Sequence, residues 1–449
     1  MQRPMLIGLI WFSILSPPTL MSYQQVPECT DGAVIEAGES EEAEGRLLEI
    51  LEECRRLSIL DPDRYKSVLL SALVELGWLY HDSGSKEKTE GIFLERLEIS
   101  RETASLDPSP ENRLQVAYIH LLLGELAFDL GRMDDAERAY HEALQIQREF
   151  SDAEVFLNRF DLARTLTELG VLYRATNRLG ESERAFLESL GLRRELSSKE
   201  ANNNSIRRTV AESLNSLANL YRDTGRVGEA EAAYLKALAI LRVFPDRFSS
   251  ILALVLKNLA QLYAGQARNE EAYELRREEV PIRQRLAASD VENARMNLAY
   301  AVAHQAYLGF RLGKYLEQED ALREAIPILR DLSINGPTQL QIELLWSLRS
   351  LAIIEYEKKS FDEAATVFHE AIGVGKRLWQ GEPERHGNLY ASLLLAVSRL
   401  PQFQNPETLC QFGKDARKAA TDDRLKDPIS AVLAHCPESP TVESSTDPR

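Results

Sequence analysis

Residues 214–237 read LNSLANLYRDTGRVGEAEAAYLKA, and they show the helical pattern of the chain most clearly. It places small residues, aromatic residues and one glycine at fixed spacings: Ala218, Tyr221, Gly225, Ala230, Tyr234 and Ala237. Glycine readily adopts the left-handed backbone conformation with which many helices end. The stretch therefore predicts two helices joined at Gly225, with small residues that let them approach closely and aromatic rings that fill the space between them.

The same spacings occur seven times along the chain. The small residue of the first helix recurs every 42 to 48 residues, at Gly77, Gly124, Gly170, Ala218, Ala260, Ala306 and Ala352. Seven residues after it stand Gly84, Gly131, Asn177, Gly225, Ala267, Gly313 and Lys359. Three more columns belong to the second helix. The column twelve residues after the small residue contains Thr89, Ala136, Ser182, Ala230, Ala272, Gln318 and Ala364. The column sixteen residues after it contains Phe93, Tyr140, Phe186, Tyr234, Arg276, Leu322 and Phe368, and the column nineteen after it contains Arg96, Ala143, Ser189, Ala237, Glu279, Ala325 and Ala371. Because one hairpin cannot bury its own apolar face, the periodicity predicts a stacked array of helical hairpins.

These positions, L-G-x-x-Y, a turn glycine and then A-x-x-x-F-x-x-A, resemble the tetratricopeptide repeat. The resemblance covers roughly Gly38 to Arg377. It implies an all-α fold, a helical-hairpin solenoid in the form of a right-handed superhelix, with about seven repeats plus partial caps. The period near 46 residues exceeds the family's usual period of about 34 and is similar to the longer repeats of kinesin light chains. Repeats two to five also resemble arrays attached to bacterial Ser/Thr kinases of the planctomycete type.

The last three repeats depart from the family pattern. Arg276, Glu279, Gly309 and Glu355 stand where the family prefers Phe, Ala and Tyr. The resemblance therefore says less about how these repeats pack.

The chain divides into five predicted segments: 1–22, a signal-peptide-like segment; 23–37, an acidic linker; 38–385, the repeat array; 386–437, an atypical C-terminal helical cap; and 438–449, a disordered tail rich in Glu, Ser, Thr and Pro. At the start of the array Gly38, Ala43, Leu47 and Ile50 repeat the second-helix columns and predict a half-repeat that caps it.

The first segment bears on localisation. Arg3 precedes the apolar stretch Met5–Leu15, a pattern typical of a signal peptide. The stretch is shorter than the ~20 residues that span a bilayer, so we expect no transmembrane span. The pattern favours export to the periplasm or the medium, with the cytoplasm as the alternative.

Four cysteines lie outside the central repeats: Cys29, Cys54, Cys410 and Cys436. None forms a C-x-x-C pair, which argues against zinc-ribbon and thioredoxin-like sites. Two interpretations remain open. The cysteines are small buried or free thiols, or they form one disulfide at each end, Cys29 with Cys54 and Cys410 with Cys436, which requires an oxidising compartment.

The charge balance bears on the partner. The chain carries 53 basic and 70 acidic residues, a net charge of -17. Binding to nucleic acid depends on clustered Lys and Arg that neutralise phosphates. We therefore expect a protein or an extended peptide as the partner and no nucleic acid, and the oligomeric state stays open.

No catalytic motif is complete. The dipeptide His-Glu occurs at 141 and at 369, but the second histidine of a zinc-protease helix is missing from both places. Gly375-Lys376 is followed by Arg377, where a phosphate-binding loop needs Ser or Thr. The glycine-rich loop and catalytic segments of kinases do not occur. We therefore predict no catalytic residue, no metal site and no cofactor.

The resemblance also implies where a ligand binds. In tetratricopeptide arrays the first helices line the inner, concave wall. The wall positions lie six and three residues before the small residue and one and four after it, on one helical stripe. From this stripe, and from Asn258 beside it, we predict the following peptide-binding residues: Arg174, Asn215, Asn219, Arg222, Lys257, Asn258, Tyr307, Phe310, Trp346 and Tyr356.

These side chains suit an extended acidic or amphipathic peptide. Amides both donate and accept hydrogen bonds to a bound backbone, Arg and Lys bind carboxylates, and aromatic residues often anchor ligands. The competing interpretation is an ordinary solvated helix face, with aromatic residues that pack against the cap.

Our hypothesis is a non-enzymatic binding scaffold. The alternative is a structural or self-associating spacer protein of the bacterial cell envelope, and a weaker one is an enzyme whose site is built by loops between repeats.

Overall fold

The computed structural model describes residues 29–38, 42–150, 156–200, 203–288, 292–334, 336–434 and 436. These residues form nineteen α-helices and three short 3-10 helices, and no strand occurs among them. The predicted signal-like segment 1–22 and tail 438–449 lie outside the described residues. The chain divides into two compact units, Met1–Leu172 and Tyr173–Arg449.

The first unit begins with a capped stack of hairpins. Its helices are α1 (Asp31–Gly38), α2 (Ala43–Leu60), α3 (Pro62–Asp82), α4 (Lys86–Leu106), α5 (Pro110–Asp129), α6 (Met133–Glu149) and most of α7 (Phe156–Ala175). Helix α2 is the predicted half-repeat, and it packs its buried Ala43, Leu47 and Ile50 toward α3. Within the segment 23–37 that we predicted as a linker, α1 packs on α2 and α3 through buried Val34.

The second unit continues the hairpins and ends in a different helical cap. Its helices are the end of α7, then α8 (Leu179–Lys199), α9 (Asn204–Asp223), α10 (Val227–Leu241), α11 (Ser249–Gly265), α12 (Asn269–Ala287), α13 (Glu292–Leu312), α14 (Glu319–Leu332), α15 (Thr338–Glu357), α16 (Phe361–Gly381), α17 (Pro383–Val397), α18 (Pro406–Ala419) and α19 (Lys426–Leu433). Helices α17 to α19 pack on one another at the predicted C-terminal cap. The all-α helical-hairpin fold is thus confirmed.

The first helix of each hairpin ends where the column of turn residues predicts. Among the described residues, positive φ occurs at the seven members of this column: Gly84 (72°), Gly131 (74°), Asn177 (60°), Gly225 (74°), Ala267 (60°), Gly313 (72°) and Lys359 (66°). The left-handed conformation is unfavourable for most residues with a Cβ, but asparagine tolerates it. The hairpin geometry therefore overrides local preference at Ala267 and Lys359.

The three second-helix columns point into the protein. All 21 of their members are at most 7% exposed, including the charged Arg276 and Glu279. In the second repeat, a Cβ on Gly124 would lie 2.5 Å from Cε1 of Tyr140, the aromatic sixteen residues on. In the sixth repeat, the side chain of Gln318 occupies the space left by the absent side chain of Gly309. The columns thus mark the contact between the two helices of a hairpin.

Both terminal cysteine pairs are disulfides. Cys29 is joined to Cys54 and Cys410 to Cys436, with Cα–Cα distances of 5.2 and 4.6 Å, so none of the four is a free thiol. Of the two interpretations left open by the sequence, the structure therefore has the disulfides. Within the described ranges, no helix is both long enough and apolar enough to cross a membrane.

Candidate functional site

The predicted binding residues all lie in the second unit. Most stand on α9, α11, α13 and α15, the first helices of four successive hairpins, and Arg174 stands at the end of α7. Side-chain contacts link α9 to α11 and α13 to α15. We call the surface formed by α9, α11, α13 and α15 the A-helix face.

Two asparagines of this face form a pair. Nδ2 of Asn258 on α11 donates to Oδ1 of Asn215 on α9 at 2.9 Å, and both residues are buried. Each side-chain amide thus uses only one of its two hydrogen-bonding groups, the oxygen or the nitrogen, in this pair. Nδ2 of Asn215 and Oδ1 of Asn258 make no hydrogen bond with another described residue. The pair therefore keeps one donor and one acceptor for a ligand or water.

Three other predicted polar residues, Asn219, Arg174 and Arg222, have partners within the protein. Oδ1 of Asn219 accepts from the hydroxyl of the core residue Tyr234 at 2.6 Å. Asp223 lies 3.0 Å from Nη2 of Arg222 and 3.8 Å from Nη1 of Arg174. The single carboxylate of Asp223 thus partly neutralises both arginines, which remain predicted binding residues.

The aromatic residues separate into two places. Tyr307 on α13 and Trp346 on α15 meet edge to face with ring centroids 5.5 Å apart. The guanidinium of Arg349 lies 5.2 Å from the Trp346 ring centroid. Tyr356 instead packs against Phe361 at the start of α16, 5.4 Å between centroids. Phe310 is on α13, and its side chain lies outside the described atoms.

Lys257 stands apart from the other predicted cations. Its side chain is half-buried, and its ammonium has no hydrogen-bond or ion-pair partner in the part of the chain that the structure describes. Burial lowers the pKa of Lys257, and the positive charges of Arg283 and Arg276 lower it further, while the negative charge of Glu279 opposes this shift. Lys257 therefore interacts with Glu279 through its charge without forming a direct ion pair.

A buried ion network lies on α12, near this lysine. Nη1 of Arg276 donates to Glu279 at 2.7 Å, and Nε of Arg283 donates to the same carboxylate at 3.1 Å. All three side chains are at most 9% exposed. In the sequence, Arg276 and Glu279 are visible only as departures from the family columns. The available signal for this network was that charged residues stand in two columns that other repeats fill mainly with apolar or small residues.

His304 and Glu343 extend the network to α13 and α15. Nε2 of His304 lies 3.6 Å from Oε1 of Glu343, which also accepts from Nε2 of Gln339 at 2.6 Å. Desolvation lowers the pKa of His304 to about 4, with further contributions from Arg276 and Lys257. Burial raises the pKa of Glu343. We call the following six residues the charge cluster: Lys257, Arg276, Glu279, Arg283, His304 and Glu343.

No set of three or more His, Cys, Asp or Glu side chains among the described residues is placed to hold a metal ion. The charge cluster contains three cationic side chains and two carboxylates, an excess of one positive charge when both carboxylates are ionised.

Known proteins resemble this chain in its repeats. Residues 115–195 and 209–285 match the family model of the tetratricopeptide repeat. The search of curated proteins gives no match. A solved structure from Pyrococcus horikoshii, a signal transduction ATPase with numerous domains and a tetratricopeptide repeat sensor, is 14% identical with a TM-score of 0.51. The match covers 80% of this chain and 51% of that protein, about half its length, and it shows a shared fold.

Two further solved structures are similar over shorter stretches. BtubC (BKLC) from P. vanneervenii is 20% identical over 56% of this chain and 94% of its own, with a TM-score of 0.45. The nearly identical repeats of a putative kinesin light chain from Podosopora anserina are 18% identical over 48% of this chain and 95% of their own, with a TM-score of 0.34.

Proposed function

From the premise that this chain is a tetratricopeptide repeat protein, we propose that it is a non-enzymatic scaffold that binds an extended peptide segment of a partner protein. The binding surface is the A-helix face of the second unit. This fold is typically non-catalytic, and the face offers hydrogen-bonding and aromatic groups rather than a reactive pair.

The Asn215–Asn258 pair is the observation that carries the proposal. An extended peptide presents backbone N–H and C=O groups that need partners. The pair holds two amides against each other and leaves one donor and one acceptor unused. Because both residues are buried, their orientation is set before a ligand arrives, which lowers the entropic cost of binding.

The Tyr307–Trp346 pair supports a second contact on the same face. Aromatic side chains concentrate binding energy at interfaces because they bury a large area with few rotatable bonds. Tyr307 is 36% exposed, so part of its ring is open to a ligand. We propose that an apolar side chain of the ligand packs against this pair.

The disulfides bear on where the protein acts. Disulfides persist in oxidising compartments and are rare in the cytosol. We propose on this ground that the protein is exported, as the apolar stretch Met5–Leu15 also suggests.

Selection from a random peptide display library on the wild-type protein tests the function. We expect binders whose affinity falls about tenfold or more in the Asn215→Ala/Asn258→Ala variant, because each hydrogen bond contributes ~0.5–1.5 kcal/mol. Fluorescence anisotropy gives the dissociation constants. Lys236→Ala, at an exposed position on α10, is the control and leaves binding unchanged.

Two results speak against the proposal. If no peptide is selected, or if the selected peptides bind the double variant and a Trp346→Ala variant as they bind wild type, the A-helix face is not the binding surface. Concentration-dependent self-association without peptide binding, seen by analytical ultracentrifugation, favours the spacer alternative.

A further inference from the structure

We infer that the outer side of α10 is a second docking surface, which binds a basic amphipathic helix of a partner protein. The inference goes beyond the proposed function, because this surface lies on second helices whereas the A-helix face lies on first helices. The two surfaces share no residue.

The outer side of α10 is a continuous apolar stripe. Five exposed residues at helical spacing form it, the last of them just beyond the helix end, and we call them the outer stripe: Gly228, Ala232, Leu235, Ala239 and Val243. Leu235 is 45% exposed and Val243 59%. The other side of α10 is apolar too and is buried in its hairpin. A helix that is apolar all round is normally enclosed by protein, but the outer stripe of α10 is exposed.

The outer stripe is peculiar to the fourth repeat. Its members stand 10, 14, 17, 21 and 25 residues after the small residue Ala218. At the same offsets every other repeat carries at least two charged residues. The apolar surface extends to Leu187 on α8, which has the same offset as Leu235 and is 46% exposed. Exposed apolar surface that is contiguous in this way marks an interaction site.

An acidic wall adjoins the outer stripe. A cavity of about 570 Å³ at the end of α10 is lined by Arg242, Tyr263, Glu270, Glu271, Glu274, Leu275, Arg277 and Glu278. Arg242 follows Ala239 by three residues, so the cavity borders the outer stripe. The side chains of its four glutamates, all on α12, are 37 to 56% exposed. We call these four glutamates the acidic wall.

The acidic wall keeps an excess of negative charge. Five carboxylates, those of the wall and of Glu231 on α10, share four cations. The ion pairs that join them are Glu278 with Arg242, Glu274 with Arg277 and Lys314, Glu270 with Lys314, and Glu271 and Glu231 with Arg268. The local excess has the same sign as the chain's net charge of -17. Carboxylates accept several hydrogen bonds each, so the exposed wall can receive the cations of a ligand as well.

This charge selects a basic partner over a second copy of the chain. Two copies that met through this surface would bring two acidic walls together and repel each other. A helix with Lys or Arg along one edge is attracted instead. Amphipathic helices bind partners by laying their apolar side on an apolar groove. The small residues Gly228, Ala232 and Ala239 let the backbone of such a helix approach α10 closely.

The experiment compares three peptide pools of about 18 residues, five helical turns. The basic pool has varied aliphatic residues along one side of the helix and Lys along the adjoining edge. The acidic pool has Glu in place of Lys. The scrambled pool has the composition of the basic pool without its periodicity. Fluorescence anisotropy at constant ionic strength measures binding to the full-length chain. We expect the basic pool to bind at least tenfold more tightly than either of the others.

Variants at exposed positions place the binding on α10. Leu235→Ser/Val243→Ser is expected to weaken binding of the basic pool at least tenfold. The matched control is Leu60→Ser/Leu106→Ser, with residues 71% and 78% exposed at the ends of α2 and α4, and it leaves binding unchanged. If the first variant does not fold, as judged by circular dichroism, Ala239→Gln replaces it, because it covers the stripe with a polar side chain.

A charge variant tests the acidic wall. Glu274→Gln/Glu278→Gln removes two carboxylates and is expected to weaken binding of the basic pool at least fivefold. Glu98→Gln, at an exposed position on α4, is the control for a lost surface charge and changes binding less than twofold.

Three results overturn the inference. The first is equal binding of the basic and scrambled pools, since net charge alone then accounts for the attraction. The second is unchanged binding in the folded Leu235→Ser/Val243→Ser protein. The third is dimerisation of the wild type that this variant abolishes, seen by analytical ultracentrifugation without peptide binding, because the occupant is then a second copy.

The A-helix face provides the separation from the proposed function. The Asn215→Ala/Asn258→Ala variant is expected to bind the basic pool as wild type does. If it binds that pool more weakly, the helix docks on the A-helix face and the inference falls. Failure of the basic pool to bind leaves the proposed function intact, because the display selection tests that function separately.

Discussion

Gly124 shows how a single missing methyl group sets the distance between two helices. A Cβ at this position would lie 2.5 Å from Cε1 and 2.6 Å from Cδ1 of Tyr140, whose ring is buried. Gly91 on α4, in the same unit, is exposed, and a Cβ added there would meet no other atom within 4 Å. Two glycines in helices of one unit therefore have opposite roles.

We predict that Gly124→Ala lowers the free energy of unfolding by ~1–3 kcal/mol, since overpacking a core forces rings and backbone to shift. Gly91→Ala, the matched control, is expected to raise it by ~0.5–1 kcal/mol, because alanine loses less backbone entropy in a helix. Urea unfolding followed by circular dichroism measures both. Equal effects of the two substitutions would contradict the close approach of α5 and α6.

His304 on α13 is expected to couple the stability of the second unit to pH. The pKa of His304 is lowered from 6.5 to about 4 by desolvation and by the charges of Arg276 and Lys257, while 47% of its side chain stays exposed and Glu343 faces it from α15. Between these two pH values the unfolded chain takes up a proton that the folded chain does not. The contribution of His304 to stability is therefore complete above pH 6.5 and decreases as the pH falls toward 4.

The test is an NMR titration of the His304 ring, assigned with a His304→Gln variant. We expect a midpoint near pH 4 in wild type and a higher midpoint in Lys257→Met, where one repelling charge is gone. A wild-type midpoint at or above 6.5 would show that the imidazole is not desolvated.

At the scale of elements, a repeated arginine ties neighbouring hairpins together. Arg178, Arg226 and Arg268 each follow the turn residue, and each guanidinium lies within 4.3 Å of the centroid of a tyrosine ring of the first helix. Arg226 also pairs with Glu183 on the second helix of the preceding repeat, at 2.7 Å. Arg268 pairs in the same way with Glu231, at 3.0 Å. Arginine suits this place because its planar guanidinium stacks on rings and binds carboxylates together.

Helix α12 gives the sharpest prediction at this scale. Glu279→Ala is expected to lower the free energy of unfolding by ~3–5 kcal/mol, because it leaves Arg276 and Arg283 buried without a counter-charge. The triple variant Arg276→Phe/Glu279→Ala/Arg283→Leu restores apolar packing in the columns. It is expected to be at least as stable as wild type, and denaturant unfolding measures all three proteins.

Two results would contradict this account of α12. A mild effect of Glu279→Ala would mean that water reaches the two guanidinium groups. A triple variant as unstable as Glu279→Ala would mean that the network itself holds the fifth repeat together.

At the scale of the whole molecule, the disulfides close the two ends of the described chain. Each joins residues about 25 positions apart, Cys29 to Cys54 and Cys410 to Cys436. In a repeat protein each hairpin contacts mainly its neighbours, so stability is close to a sum of local terms. Loss of a disulfide should therefore loosen one end without unfolding the middle.

We predict that Cys54→Ala removes ~3 kcal/mol of local stability, the amount expected for a loop of this length. Hydrogen exchange should show faster exchange in α1 to α3 and unchanged rates in α9 to α12. Cys410→Ala is the matching variant for α17 to α19. Alkylation of the native protein without reductant is expected to label no cysteine, and labelling would speak against both disulfides.

The sequence was sufficient to predict the helical hairpins, but not to predict which groups their polar side chains contact. The residues that end each first helix and fill each interface recur at fixed spacings, so comparing repeats with one another located all seven left-handed turns. The same comparison placed Asn215, Lys257 and Trp346 on the first helices of their hairpins. It could not indicate that Asn219 would bond the core residue Tyr234, because such pairing depends on side-chain geometry rather than on spacing.

The helix pairs, their turns and their buried columns can be read from the sequence, because they follow from contacts within a few helical turns. The chemistry of the A-helix face instead depends on how the hairpins pack. Asp223 meets Arg174, Asn215 meets Asn258, and Lys257 joins a cluster that extends to Glu343. These groups come from different hairpins and are 43 to 86 residues apart in the sequence. Whether they pair depends on ångström-scale distances that are set when the helices pack, and no local pattern encodes those distances.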